Sequence, residues 1–138
     1  MVGRYLEQVD NRIAASSGTM PVYVKEAIKK IRSTLGKVTV NELSSMTGMS
    51  RQSITLGFKA SIGVTPKYYI RMVRFHTCIA WIHGTVGKHS VVGFNWRKVA
   101  ACFGFYDQAH MIREFNHFVQ RPPLAYLAWR EQNMEAAS

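Results

Sequence analysis

The sequence predicts an all-α protein with two helix-turn-helix units and one long helix between them. Three observations predict it. Apolar residues recur at helical spacing almost throughout from Pro21 onward, capping residues and glycines punctuate those stretches, and the pattern of the first half returns in the second.

The chain has 138 residues, of which 47% are apolar and 12% aromatic, enough to bury a core as one domain or as two small subdomains. Its 18 Lys and Arg against 8 Asp and Glu give a net charge of +10. The excess is uneven: residues 25–121 carry 15 basic and 4 acidic side chains, whereas residues 1–20 balance Arg4 and Arg12 against Glu7 and Asp10. A cationic folded region favours polyanions through counterion release, and nucleic acid is the first candidate partner. A membrane surface is not expected. No lipidation motif opens the sequence, no basic amphipathic segment ends it, and no apolar run approaches the roughly 20 residues of a membrane span. Cys78 and Cys102 sit in apolar, helix-like stretches without a signal peptide upstream, so both are expected to be reduced, buried thiols in a cytoplasmic protein.

In residues 1–20, Leu6, Val9 and Ile13 indicate a short helix and Ala14–Thr19 a flexible linker. The first subdomain is expected over 21–83. Val24, Ala27, Ile28 and Ile31 form one apolar stripe that ends near Gly36. Thr39 and Glu42 form a capping-box pattern for a short helix through Met46. Gly48 suits a left-handed exit, and Ser50 suits the cap of a helix from Arg51. Two short helices joined by a tight turn outline a helix-turn-helix.

Thr65-Pro66 then starts the longest helix, to about His83, with Tyr69, Met72, Val73, Ile79, Ala80 and Ile82 available for burial. Residues 84–95, with three glycines, read as a loop that opens a second subdomain over 84–130. Asn95 suits the cap of a helix from Trp96 to Phe103, and Asp107 the cap of another from Gln108 to about Phe118. Gln120–Pro123 stops it, Leu124–Leu127 adds a last apolar turn, and 131–138 reads as a tail. Ser50 and Asp107 lie 57 residues apart, and Ile54 and Phe58 are matched at the same offset by Met111 and Phe115. The chain contains a degenerate internal repeat.

These residues resemble the DNA-binding domain of the AraC/XylS family of bacterial transcription regulators. The second unit carries the most specific match, Val99–Phe115 followed by Pro122-Pro-Leu-Ala-Tyr126. The first matches through Val40–Ser50, Phe58-Lys59 and Gly63–Ile70. Coverage runs from about Val22 to Trp129. The resemblance implies seven helices, with a long central helix from Pro66 holding both recognition helices on one side of double-stranded DNA. Binding is then expected to activate or repress a nearby promoter through contact with RNA polymerase, activation being the preferred reading of the two. Many relatives carry an upstream effector-binding or dimerisation domain, so residues 1–20 are expected to be either the tail of such a domain or the natural start of a small stand-alone regulator. The isolated domain is expected to be monomeric, and dimeric where an upstream domain exists.

Periodicity alone orients the two recognition helices. If Ile54 and Phe58 point inward, the opposite face of the first carries Gln52, Thr55, Leu56 and Lys59; if Met111, Phe115 and Phe118 point inward, the second presents Ala109, Ile112, Arg113 and Asn116. Arg113 suits a bidentate contact to guanine, Gln52 or Asn116 an adenine edge or a bridge to phosphate, and Leu56 and Ile112 thymine methyl groups. His110 joins this face as a further candidate. Arg51, Lys59, Lys67 and Arg71 suit phosphates. Three features depart from the family pattern. Many members carry Arg where Leu56 stands, Gly57 lies mid-helix at a cost of about 1 kcal/mol relative to Ala, and the loop over 84–95, with Lys88 and His89, is longer than usual.

No His-Glu-x-x-His, Cys-x-x-Cys, phosphate loop or Gly-x-Ser-x-Gly occurs, so no catalytic residue, metal or cofactor is assigned. His76 and His83 on one helix lack partners at ligand spacing. The rival reading is a helix-turn-helix module that binds another regulator or the polymerase with little DNA affinity of its own. Leu56, Ile112 and Trp96 favour that rival, and the net charge opposes it.

Overall fold

The computed structural model describes residues 2–86 and 95–137. The described residues are all-α, as the periodicity predicts: an N-terminal helix is followed by seven more. In order these are α1 (Val2–Ser16), α2 (Val22–Ser33), α3 (Val40–Thr47), α4 (Arg51–Ile62), α5 (Pro66–Val86), α6 (Trp96–Cys102), α7 (Gln108–Val119) and α8 (Pro123–Ala137). They divide into two compact units, one holding α1 to α5 and the other α6 to α8.

In the first unit α2 buries the stripe of Val24, Ala27, Ile28 and Ile31. Leu43 of α3 and Ile54, Phe58 and Ile62 of α4 are fully enclosed, and Tyr69, Ile70, Met72 and Val73 of α5 join this core. Arg32 ties it to the helix surface, its Nε donating to the Tyr69 hydroxyl at 2.9 Å. The buried side of α5 shifts part-way along the helix, to Phe75, Cys78, Ile79 and Ile82, and leaves Ala80 exposed rather than buried.

The N-terminal segment is not a short helix with a tether. α1 continues through Ala14 and Ser16 and packs against α4 and α5, with Val9 buried. An Arg12 guanidinium nitrogen donates to the Ile62 carbonyl at 3.5 Å, and the Ser16 hydroxyl to the Ser61 carbonyl at 3.4 Å. Asp10 forms an ion pair with Arg32. Helix exit is then set by two backbone bonds, from Thr19 N–H and Met20 N–H to the Ser16 carbonyl. The Ala-Ala-Ser run suggested looseness because its residues are small, but alanine is also the best helix former.

In the second unit Val99 and Ala100 of α6, Met111, Phe115, Phe118 and Val119 of α7, and Tyr126 and Leu127 of α8 form the core with Phe105 of the turn. Arg121 lies 4.5 Å above the Trp129 ring, a cation–π contact that fixes the start of α8 to its second turn. Two further expectations change. α8 runs on to Ala137, so most of the segment read as a tail is helical, and Leu124 in its first turn is exposed. α5 likewise includes Gly84, Thr85 and Val86, which were read as loop, while Lys88 and His89 lie outside the described residues. Cys78 is buried as expected, but Cys102, at the last position of α6, is exposed.

Candidate nucleic-acid interface

Both helix pairs are punctuated as the residue types dictate. In the first, the Thr39 hydroxyl accepts the Glu42 N–H at 3.1 Å to start α3. Gly48 ends that helix in the left-handed region at φ 72°, and the Ser50 hydroxyl accepts the Ser53 N–H at 3.1 Å to start α4. In the second, Asn95 accepts the Lys98 N–H at 3.3 Å, Gly104 turns the chain at φ 82°, and the Asp107 carboxylate accepts the His110 N–H at 2.7 Å. Each pair is a helix, a short turn and a second helix whose first-turn N–H groups are partly satisfied by its own cap.

The repeat extends further than residues 48–58 and 104–115. Gly63 and Gln120 end α4 and α7 in the same left-handed conformation, at φ 78° and 53°. Pro66 and Pro123 open the next helices. Phe58 meets Tyr69 with ring centroids 6.3 Å apart, and Phe115 meets Tyr126 at 6.1 Å. Each pair of equivalents is separated by the same 57 residues, which was available in the sequence as Pro66/Pro123 and Tyr69/Tyr126.

With Ile54 and Phe58 fully buried, α4 leaves Arg51, Gln52, Leu56 and Lys59 exposed. Leu56 is 60% exposed, which marks an apolar side chain held out from the core rather than one at its edge. Thr55 is half-buried, and its hydroxyl donates back to the Arg51 carbonyl at 2.9 Å. Beyond the left-handed turn at Gly63, Lys67 is exposed on the first turn of α5 and Arg71 is half-buried, its guanidinium 5.3 Å above the Tyr68 ring. Gly57 faces inward against α2. A Cβ there would stand 2.6 Å from the Tyr23 hydroxyl and 2.9 Å from Val24 Cγ2, so the glycine marks close helix packing. The Tyr23 hydroxyl also donates to the Ser53 carbonyl at 3.4 Å, which holds α2 across the first turn of α4.

In α7 the burial of Met111, Phe115 and Phe118 leaves Ala109, Arg113 and Asn116 exposed and Ile112 half-buried. His110 is half-buried and has a local partner. Its Nδ1 accepts the Tyr106 N–H at 3.0 Å, and its ring meets Phe105 edge-on at 5.5 Å. Two side chains thus hold the helix start, Asp107 accepting the His110 N–H and His110 accepting the N–H of Tyr106, the residue before the cap. Two residues outside the sequence-based set also stand on this surface. Tyr106, just before the Asp107 cap, is 91% exposed, and Gln108 is exposed on the first turn. Nothing in the sequence marks Tyr106, because an aromatic beside Phe105 in an apolar-looking turn reads as core.

The candidate residues therefore fall into two groups, one in each unit: Arg51, Gln52, Thr55, Leu56, Lys59, Lys67 and Arg71 in the first, and Ala109, His110, Ile112, Arg113 and Asn116 in the second. Among the described residues no three His, Cys, Asp or Glu side chains are grouped to hold a metal ion, and no helix is long and apolar enough to cross a membrane. Comparison of the chain with protein-family models, with curated proteins and with solved structures gave no match.

Proposed function

We propose that this chain is a sequence-specific, double-stranded DNA-binding transcription regulator of the AraC/XylS kind, acting in the bacterial cytoplasm. One observation carries the reading. A capped helix-turn-helix occurs twice in a chain of net charge +10, and each time the outer face of its second helix is left to solvent. A solvent-facing helix on a basic domain is the form in which major-groove readers present themselves.

In this reading Arg113 contacts a guanine edge, and Gln52 and Asn116 contact adenine or bridge to phosphate. Leu56 and Ile112 contribute apolar contact with thymine methyl groups. Arg51, Lys59, Lys67 and Arg71 neutralise phosphates. The two recognition helices enter successive major-groove segments, about 34 Å apart along one duplex. The bound protein then activates a nearby promoter by contact with RNA polymerase. The second unit is the principal base reader, because its exposed face carries Arg113 where the first carries Leu56.

Selection of bound sites from a random duplex pool tests this. The reading requires an enriched sequence with two boxes about one helical turn apart. A pool that stays random after repeated rounds contradicts it.

The exposure of Leu56, Tyr106 and Leu124 supports a second reading, in which the chain is an interaction module for another regulator or the polymerase. Under that reading these three positions, mutated to Ser, abolish partner binding and leave DNA affinity negligible throughout.

A further inference from the structure

Because α1 rests on α4 and α5, a groove remains between its C-terminal half and α2, with a volume of about 580 Å³. That volume lies within the range of small-molecule sites. Ile13 of α1, Met20 of the connecting turn and Ile28 of α2 give it an apolar floor. Met20 is only 6% exposed and Ile28 4%, so the floor is anchored in the core of the unit. Lys25, Lys29 and Arg32 stand along one side at positions i, i+4 and i+7 of the same helix face. Arg32 is held there by Tyr69 and Asp10. Lys25 and Lys29 are exposed, and no carboxylate lines the groove among the described residues.

We propose that this groove binds a small amphipathic organic anion, a carboxylate with an apolar body. The apolar body lies on Ile13, Met20 and Ile28, and the carboxylate faces Lys25 and Lys29. An apolar floor alone would admit any hydrocarbon, and a lysine pair alone any anion; their combination within one groove selects a molecule that has both. α1 also holds the last turn of α4 through Arg12 and Ser16, so occupancy stabilises the unit that carries the first recognition helix. The proposal stands independently of DNA binding.

The test uses octanoate as the probe, with acetate and n-octanol as controls, on the full chain. Amide chemical shifts in the NMR spectrum are followed during titration, and the melting temperature is recorded in parallel. Octanoate is expected to raise the melting temperature and to move signals of residues 13–33, whereas acetate and octanol at equal concentration do neither. Lys25→Gln combined with Lys29→Gln is expected to weaken octanoate about tenfold, from the loss of two exposed charge contacts. Ser17→Trp, which fills the groove mouth, is expected to abolish the response. Both variants are checked for an unchanged spectrum without probe, and the lysine pair, being exposed, tests the proposal if the tryptophan variant does not fold. The proposal is overturned if octanoate produces no shift, if octanol matches it, if the perturbed signals lie outside residues 13–33, or if the double lysine variant binds as the parent does.

Discussion

Phe58 and Tyr69 meet with ring centroids 6.3 Å apart across the left-handed turn at Gly63, and the same contact recurs between Phe115 and Tyr126 at 6.1 Å across Gln120. In each unit this aromatic pair locks the second helix of the helix-turn-helix to the helix that follows it. All four residues are buried. The second helix of each pair is thereby fixed from behind, by residues on its buried side.

Removal of one ring should show how much rests on that lock. Phe115→Ala is expected to destabilise the protein by about 3–5 kcal/mol, through lost burial and the cavity left behind. Urea denaturation measures it, and a loss below about 1 kcal/mol would mean that the contact is peripheral.

Gly57 supplies a second stability test with an unusual sign. Alanine in a helix interior ordinarily gains about 1 kcal/mol over glycine. Here the added Cβ meets the Tyr23 hydroxyl and Val24, and Gly57→Ala is expected to cost about 1–3 kcal/mol. Adding Tyr23→Phe removes the nearest atom and should recover part of the loss. Thermal melts of the single and double variants check both statements.

The two cysteines should differ sharply in chemistry. Burial pushes the Cys78 thiol up to about 12 from its ordinary 9.0, whereas Cys102 is exposed. A disulfide-exchange reagent at neutral pH is expected to label one thiol quickly, removed by Cys102→Ala, and the other only on unfolding. The raised value also fixes a sign. A group whose proton is held more tightly in the folded state keeps its stabilising effect below pH 9 and loses it as pH rises toward 12. Burial raises Tyr69 and Tyr126 as well, in the same direction. Denaturation midpoints should therefore fall on the alkaline side, and less steeply in Cys78→Ala.

The roles proposed for Arg113 and Lys67 separate on DNA. Arg113→Ala is expected to lose about 1–3 kcal/mol of preference for a selected site over random duplex, whereas Lys67→Ala weakens both about equally. Equilibrium titrations on the two duplexes supply the comparison. An unchanged ratio in Arg113→Ala would remove the second unit as the main reader.

Much of this architecture was legible in the residues, because local chemistry and packing agree where they were read. Thr39, Ser50, Asn95 and Asp107 all cap helices, and Ile54, Phe58, Met111 and Phe115 are all enclosed. The misreadings arose where tertiary contact decides. Nothing local shows that α1 rests on α4 and α5, since Arg12 and Ser16 reach carbonyls some 50 and 45 residues away. Cys102 and Ala80 look apolar enough to bury but lie at exposed helix positions.

DNA binding itself is the central claim, and salt-dependent affinity for random duplex tests it most directly. A chain that neutralises phosphates with Arg51, Lys59, Lys67 and Arg71 should release their counterions. Its affinity should fall steeply as salt rises, by about one power of the salt concentration for each phosphate neutralised. No measurable binding at low salt, or binding indifferent to salt, would contradict the account.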